Sequence, residues 1–362
     1  MRVKSSACFV LAALLLIGTV IQAAEKGAPD LKSAGPLAFG PDGVLFVGDT
    51  KAATLFAIET GDKKGEPAKV ELNIEGLNKK VADKLGGSTS EVQINDLAVN
   101  PKSGNIYLSV SKGQEPVLMR IDGTGKLSPL SLEKVVFSKV ELPNAPEDKV
   151  VGEGRRARNN RAESITDLAY VEGKVIVSGM SSDKSPSTVR EIAYPFAKAD
   201  KGMNIEIFHG AHGRLENNAV IRTFVPFNID GEANLLAGFT CTPLVKFPVA
   251  SIGSKETVRG TTVAELGNRN RPLDMIVYKK GGKDFLLMAN SSRGVMKIST
   301  DDIENNEGIT EPVRGGGTAG QKYETIEDLK GVVQLDRLND EHAVVLVQQE
   351  NGSQDLQTIA LP

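Results

Sequence analysis

The stretch Ile94-Asn95-Asp96-Leu97-Ala98-Val99 carries the pattern that decides the fold, because its Asp is followed by a short hydrophobic run. The pattern returns at Ile165-Thr166-Asp167-Leu168-Ala169-Tyr170 and at Pro272-Leu273-Asp274-Met275-Ile276-Val277. After each copy come a turn and a second apolar strand, at residues 104–110, 174–177 and 284–288. Strand-type repeats with a period of roughly 50 residues are typical of β-propellers.

These repeats predict an all-β chain folded as a six-bladed β-propeller, or as one with seven blades if residues 128–142 form a degenerate blade. We expect the blades at residues 35–74, 94–142, 165–208, 220–266, 272–313 and 331–359. Residues 70–74 and 309–313 are predicted as the outer strands of blades one and five. A strand from residues 28–34 would complete blade six and close the ring, which removes exposed sheet edges. Residues 77–85 are predicted as a short helix.

The N-terminus has the pattern of a secretory signal peptide. Arg2 and Lys4 precede an apolar run over residues 7–21, and the small residues Ala23 and Ala24 follow it. We therefore expect a signal peptide over residues 1–23 and a single propeller domain over residues 24–362. This predicts a periplasmic or secreted bacterial protein with no stable membrane insertion after cleavage.

Composition narrows the range of partners. Outside the signal segment the chain has 41 basic residues (43 less Arg2 and Lys4) against 46 acidic ones. This slightly acidic balance gives no reason to expect a nucleic acid partner. Cys241 is the only cysteine beyond the signal segment, so we expect no internal disulfide and a fold that relies on a large apolar core.

The stretch Pro41-Asp42-Gly43-Val44-Leu45-Phe46-Val47-Gly48-Asp49-Thr50 resembles the NHL and gluconolactonase-like propellers, whereas the absence of Trp argues against a WD-repeat protein. The resemblance implies that the first strand of each blade lines a central channel. It also implies that the loops between blades, and those between second and third strands, share one mouth. Gluconolactonase-like enzymes hold a divalent cation with a Glu, two Asn and an Asp. Glu91, Asn95, Asn270 and Asp274 match that set by residue type.

The loops before blades three, five and six are rich in arginine and asparagine. Rigid guanidinium forks suit carboxylate, phosphate and sugar ligands, so this mouth is predicted to bind a small anionic or sugar-like ligand or a partner protein. The alternative is that these side chains satisfy the loops' own backbone and pair with nearby carboxylates. The candidate ligand-binding residues are Arg155, Arg156, Arg158, Asn159, Arg161, Glu163, Asn268, Arg269, Asn270, Arg271 and Arg314.

A second candidate site combines His209 and His212, in a glycine-flanked loop after blade three, with Cys241 in a turn of blade four. Because the resemblance implies that both kinds of loop lie at the same mouth of the channel, we expect all three residues on one face, at adjacent blades. Two imidazoles and a thiolate are ligands that copper and zinc prefer. The alternative is a common His-x-x-His spacing beside a cysteine that acts as a small hydrophobe.

A third candidate is a cation, calcium included, held in the channel by Asn95, Asp96, Asp167 and Asp274. Carboxylates packed around a channel repel one another unless a cation or protons intervene. The alternative is that each Asp accepts a hydrogen bond from the backbone of the neighbouring blade.

Two function hypotheses follow. The leading one is an exported propeller that binds a ligand or partner at the arginine-rich mouth. The alternative is a metal-dependent enzyme, either lactonase-like or built on the histidine and cysteine cluster. The sequence has no haem-attachment, phosphate-loop or Gly-x-Ser-x-Gly motif, so it assigns no catalytic residue.

Overall fold

The computed structural model describes residues 24–154, 157–252 and 257–362. The predicted signal peptide, Arg155 and Arg156 therefore lie outside the described residues. Within the described part there is one α-helix, Leu77–Leu85, where the sequence predicts it, and all other regular structure is strand or short 3₁₀ turn. No helix in this part is long and apolar enough to cross a bilayer.

The strands are short, as expected for propeller blades, and are numbered here in chain order. The first fifteen are β1 (Glu25–Gly27), β2 (Leu37–Phe39), β3 (Val44–Asp49), β4 (Thr54–Glu59), β5 (Asn73–Ile74), β6 (Val92–Val99), β7 (Ile106–Lys112), β8 (Glu115–Ile121), β9 (Leu127–Pro129), β10 (Val135–Glu141), β11 (Val150–Val151), β12 (Arg158–Asn159), β13 (Asp167–Val171), β14 (Lys174–Met180) and β15 (Ser187–Ala193).

The remaining strands complete blades three to six. They are β16 (Met203–His209), β17 (Arg214–Glu216), β18 (Ile221–Ile229), β19 (Glu232–Phe239), β20 (Pro243–Pro248), β21 (Thr257–Arg259), β22 (Thr261–Leu266), β23 (Pro272–Lys280), β24 (Lys283–Asn290), β25 (Gly294–Ser299), β26 (Thr318–Gly320), β27 (Tyr323–Ile326), β28 (Val332–Arg337), β29 (His342–Gln348) and β30 (Gln354–Ala360).

Six blades form the ring, which confirms the predicted fold class. From the channel outward, blade one is β2-β3-β4-β10-β1 and blade two is β6-β7-β8-β9. Blade three is β13-β14-β15-β16, extended at its edge by β17 and β21. Blade four is β18-β19-β20-β22-β26, blade five is β23-β24-β25-β27, and blade six is β28-β29-β30-β5.

The order of the blades around the ring differs from their order along the chain. Inner-strand contacts place blade two between blades six and one, so the ring runs two, one, three, four, five, six. Six hydrophobic clusters fill the spaces between adjacent blades in this same order. All of blade two is thus inserted between the third and fourth strands of blade one.

Three strand predictions are wrong. Residues 73–74 form the outer strand of blade six, where residues 28–34 were expected, and those earlier residues form no strand. Residues 135–141 form the fourth strand of blade one and not a part of blade two or of a seventh blade. The outer strand of blade five is β27, and residues 309–313 form no strand. An outer strand needs only an open edge and one apolar face, so its pattern does not specify its blade.

Candidate functional site

The two histidines lie on a tight turn between β16 and β17. Gly213 donates its backbone N–H to the carbonyl of His209 at 2.8 Å, and His212 donates to the same carbonyl at 3.1 Å. A buried carboxyl holds this turn from blade four: Oε1 of Glu265 accepts from the backbone N–H of Gly210 at 2.6 Å and from that of Ala211 at 3.3 Å. The turn is therefore fixed by both its own backbone and its neighbour blade.

Cys241 lies at the turn between β19 and β20, as predicted. Cys241 and Thr242 both adopt left-handed backbone, with φ of 67° and 61°. This conformation costs a residue with a side chain about 1–2 kcal/mol. The turn is held by hydrogen bonds from the N–H of Cys241 to the carbonyl of Asn270 at 2.7 Å and from the hydroxyl of Thr242 to the carbonyl of Gly267. Backbone strain held in place by surrounding contacts is frequent at functional sites.

These two turns bring the metal-ligating side chains together. One donor atom each from His209, His212 and Cys241 lie within 4.8 Å of one another. Bonds of about 2.0–2.3 Å to zinc set donors roughly 3.5 Å apart, so binding an ion requires the three to close by about 1 Å. Among the described residues this is the one group of three His, Cys, Asp or Glu side chains close enough to share an ion.

Glu216 orients both imidazoles. Its Oε2 lies 2.9 Å from Nδ1 of His209, and its Oε1 lies 2.8 Å from Nδ1 of His212. Burial favours a higher pKa for Glu216, but hydrogen bonds from both histidines and from Arg214 hold that pKa below its usual value. An ionised carboxylate only accepts hydrogen bonds, so both Nδ1 atoms carry the proton. In a neutral ring the lone pair is then on Nε2, the nitrogen that does not bond to Glu216.

His209 is the most deeply buried of the three candidate ligands. Its side chain is 2% exposed, and its buried Nε2 has no hydrogen-bond partner. Burial lowers the pKa of His209 and outweighs Glu216, which acts to raise it. The lowered pKa favours the neutral form of the ring, which is the form that binds metals. Buried polar atoms are nearly always paired, so this ring nitrogen is a candidate ligand atom.

A cavity of about 480 Å³ opens in front of this cluster, and it joins the two sites that the sequence predicted separately. Arg158, Asn159 and Glu163 line it together with the two histidines and Cys241. Oδ1 of Asn160, also in its wall, is buried without a partner. The cavity thus brings the candidate metal ligands and several polar side chains of the arginine-rich loop to one place.

Of the other predicted ligand residues, three line a second cleft and three line neither cavity. Asn268, Arg269 and Arg314 line a cleft on the far side of His212. Asn270 is buried, donates to Oδ1 of Asn290 at 2.9 Å and lines neither cavity. Arg161 and Arg271 likewise line neither cavity.

The channel aspartates hold neighbouring blades together, as the structural alternative predicts. Asp96 accepts from the N–H of Leu37, and Asp167 accepts from that of Phe224, both at 2.7 Å. Asp274 and Asp336 make the same bond to the next blade, at 2.8 and 2.7 Å. Each carboxyl therefore already has a donor from the adjoining blade.

Their surroundings favour the protonated form of all four channel carboxyls. They line a cavity of about 340 Å³ in the channel, where burial, with like charge nearby for Asp96, Asp167 and Asp274, raises their pKa values. The pKa rises to about 8 for Asp96, about 7 for Asp167 and about 6 for Asp336, and that of Asp274 is also raised. The amide of Gln334, turned to donate, lies 2.8 Å from Oδ1 of Asp96 and 3.0 Å from Oδ2 of Asp274.

The residues matched by type to a lactonase-like cation set do not meet. Glu91 caps a 3₁₀ turn by accepting from Ser88 at 2.7 Å, and Asn95 donates to the carbonyl of Ala34 at 2.8 Å. Neither lines the channel cavity. The channel alternative thus lacks its asparagine ligand, which the bulge before Asp96 turns toward blade one.

The residues at the mouth that escaped the sequence analysis include Glu216, Glu265 and Arg293. Glu265 had a signal, because it is the one charged residue in the otherwise apolar run Val263-Ala264-Glu265-Leu266. Glu216 and Arg293 had none, since charged residues in hairpins are usually solvated.

No protein-family model and no curated protein matches this sequence. Similar solved structures include a chain of the mitotic checkpoint complex, at 8% identity over 98% of this chain and 99% of that one, with a TM-score of 0.41. The plexin A4 extracellular region matches at 10% identity over 94% of this chain and 40% of that chain, with a TM-score of 0.44. The PQQ-bound aldose sugar dehydrogenase of Streptomyces coelicolor matches at 13% identity over 93% and 96%, with a TM-score of 0.31. At these identities a similarity concerns the fold and carries no activity across.

Proposed function

We propose that this protein binds one copper or zinc ion through His209, His212 and Cys241 at the mouth of the propeller. The observation that carries the proposal is the joint geometry of the three donors, with Glu216 orienting both rings and Nε2 of His209 buried without a partner. Calcium is a poor fit, because it takes oxygen ligands.

Three protein ligands leave a coordination position open. Zinc sites of this kind hold a water or a substrate oxygen in the fourth position, whereas structural zinc sites use four protein ligands. Here that position would face the cavity of about 480 Å³. The site therefore suits metal-assisted chemistry or ligand capture, in which the ion polarises an oxygen atom.

The leading sequence hypothesis, a ligand or partner bound at an arginine-rich mouth, enters the proposal in a narrower form. Arg158 and Arg222 line the same cavity, and Arg222 is held by Glu163 at 2.7 Å and by the hydroxyl of Thr240 at 2.9 Å. We propose that a small anionic or sugar-like ligand enters here and reaches the ion. We also propose export, from the signal-like segment 1–23.

The test is metal analysis of protein purified without chelators or a polyhistidine tag. After equilibration with zinc or copper(I) and dialysis, we expect about one ion per chain in the wild type. The His209→Ala/His212→Ala variant should lose it. His342→Ala is the matched control, since it removes the remaining histidine, which does not belong to the cluster.

Two results would contradict the proposal. One is wild-type protein that retains no ion after dialysis. The other is a double variant that retains as much as the control. A cobalt(II)-loaded sample adds an independent readout, because thiolate-to-metal charge-transfer absorption should vanish in Cys241→Ser.

A further inference from the structure

A second cleft lies on the other side of the histidine turn. Its volume is about 960 Å³, and His212 lines both this cleft and the cavity in front of Cys241. The turn over residues 210–213 is therefore the wall between them. The side chains and backbone of the cleft that bear on its chemistry belong to Asn268, Arg269, Ser292, Arg293, Arg314 and Gly316.

The charge of this cleft is one-sided. Arg269, Arg293 and Arg314 line it, and no Asp or Glu does. The guanidinium groups of Arg269 and Arg314 make no hydrogen bond or ion pair within the part of the chain that the structure describes. By contrast, Arg222 pairs with Glu163 and Arg214 pairs with Glu216 near the other cavity. Unpaired guanidinium groups around one concavity attract multiply charged anions.

Backbone contacts fix the shape of the cleft. Nη2 of Arg293 donates to the carbonyl of Asn268 at 3.0 Å. Its guanidinium lies so close to Gly267 that a Cβ there would come within 2.5 Å of Cζ, so only glycine admits this packing. On the opposite side, the N–H of Val313 donates to the carbonyl of Gly210 at 2.9 Å, which ties the Arg314 loop to the histidine turn. The Arg293 guanidinium and the backbone of the cleft are thus held in place before any ligand binds.

We infer that this cleft binds a small oxyanion with two or more negative charges, a phosphate group or a di- or tricarboxylate. The histidine turn separates this cleft from the cavity in front of Cys241, so the anion site does not rest on the proposed function. Bidentate guanidinium contacts to phosphate and carboxylate oxygens supply the recognition.

Titration calorimetry on metal-free protein tests the anion site alone, with inorganic phosphate, citrate and, as a monovalent probe, acetate. We expect saturable binding of phosphate or citrate, and the tighter of the two identifies the group. Arg314→Ala and Arg269→Asn should each weaken it about tenfold, the effect of losing a charged hydrogen bond. Asn is chosen at position 269 because that residue has a φ of 56°, which Asn tolerates. Arg259→Ala is the control. Arg259 lies on the edge strand β21, does not line the cleft and pairs with Glu206 of β16.

Repeating the titration in Cys241→Ser separates the two proposals, because Cys241 does not line the cleft. Anion binding that persists there while metal is lost supports the anion site whatever the fate of the metal site. Equal affinities in Arg314→Ala, Arg269→Asn and Arg259→Ala would overturn the inference, as would acetate binding as tightly as phosphate and citrate.

Discussion

Oε1 of Glu265 lies 2.6 Å from the backbone nitrogen of Gly210, so a carboxyl of blade four fixes a turn of blade three. The bond crosses the boundary between the blade that carries both histidines and the blade that carries the cysteine. Burial raises the pKa of Glu265 to about 7, and its Oε2 is buried without a partner. The geometry of the proposed metal site therefore depends on an acid that is not itself one of the proposed ligands.

Replacing Glu265 tests this dependence. In Glu265→Ala the N–H groups of Gly210 and Ala211 lose their acceptor, and we expect zinc affinity to fall about tenfold, measured by competition with a chelating dye. The amide oxygen of Glu265→Gln can still accept from Gly210, so this variant should recover most of the affinity. Equal losses in both variants would show that the negative charge matters and that the hydrogen bond does not.

Glu216 acts on the imidazole rings themselves. Glu216→Gln retains one acceptor oxygen for two Nδ1–H groups, so one ring loses its orientation. Outer-shell partners of this kind contribute about 10–100-fold to metal affinity. We expect a loss in that range by dye competition, with an unchanged circular dichroism spectrum. Unchanged affinity would show that the carboxylate does not select the tautomer.

Cys241 sits in a conformation that favours glycine. We expect metal-free Cys241→Gly to be as stable as wild type or up to about 1 kcal/mol more stable, because relief of the left-handed backbone offsets the added chain entropy. Cys241→Val should be destabilised by more than 1 kcal/mol, since a branched side chain is least tolerated there. Urea unfolding measures both, and a Gly variant less stable than Val would refute the strain argument. Neither variant should bind metal.

The channel carboxyls predict an unusual pH dependence of stability. Their folded-state pKa values lie above the unfolded value of about 3.9, so they hold protons that the unfolded chain releases. Their contribution is complete below pH 4 and is lost as the pH rises through the folded values of about 6 to 8. We expect the free energy of unfolding to fall by about 1–3 kcal/mol between pH 6 and pH 9.

Asp274→Asn is the variant that isolates this effect. It removes one of the four carboxyls, so the decline between pH 6 and pH 9 should be smaller than in wild type. Asp340→Asn, at a side chain that is 92% exposed, serves as the control and should follow the wild-type curve. An Asp274→Asn curve that falls as steeply as the control would contradict the assignment of this pH dependence to the channel carboxyls.

The sequence predicted the elements whose pattern is local. The Asp-containing strands recur because each lines the channel and bonds to the next blade, and the bonds made by Asp96 and Asp167 confirm this interpretation. The turns carrying His209 and Cys241 were predicted to share a face, and their donor atoms meet. The first inference needs only the repeated strand pattern, whereas the second rests on the loop geometry that the resemblance to NHL-type propellers implies.

The sequence did not predict the pairings that join distant segments. Nothing local assigns β5 to blade six or β10 to blade one, because any amphipathic strand fits an open edge. The sequence likewise did not predict that Arg293 lines the second cleft. Its position there depends on Gly267, which leaves room for the guanidinium group. These features arise from the three-dimensional arrangement and not from a periodicity along the chain.

The insertion of blade two between two strands of blade one has a consequence for how the protein unfolds. In a linear array of repeats, the end units have one neighbour and fray first. Here the segment beside β5 bonds to residue 358, since Leu72 donates to the hydroxyl of Thr358 across a separation of 286 residues. Every blade then has two neighbours, and blade one cannot open without releasing the chain that closes the circle. The fold has no outermost unit to lose, so its loss of structure is expected to be all-or-none.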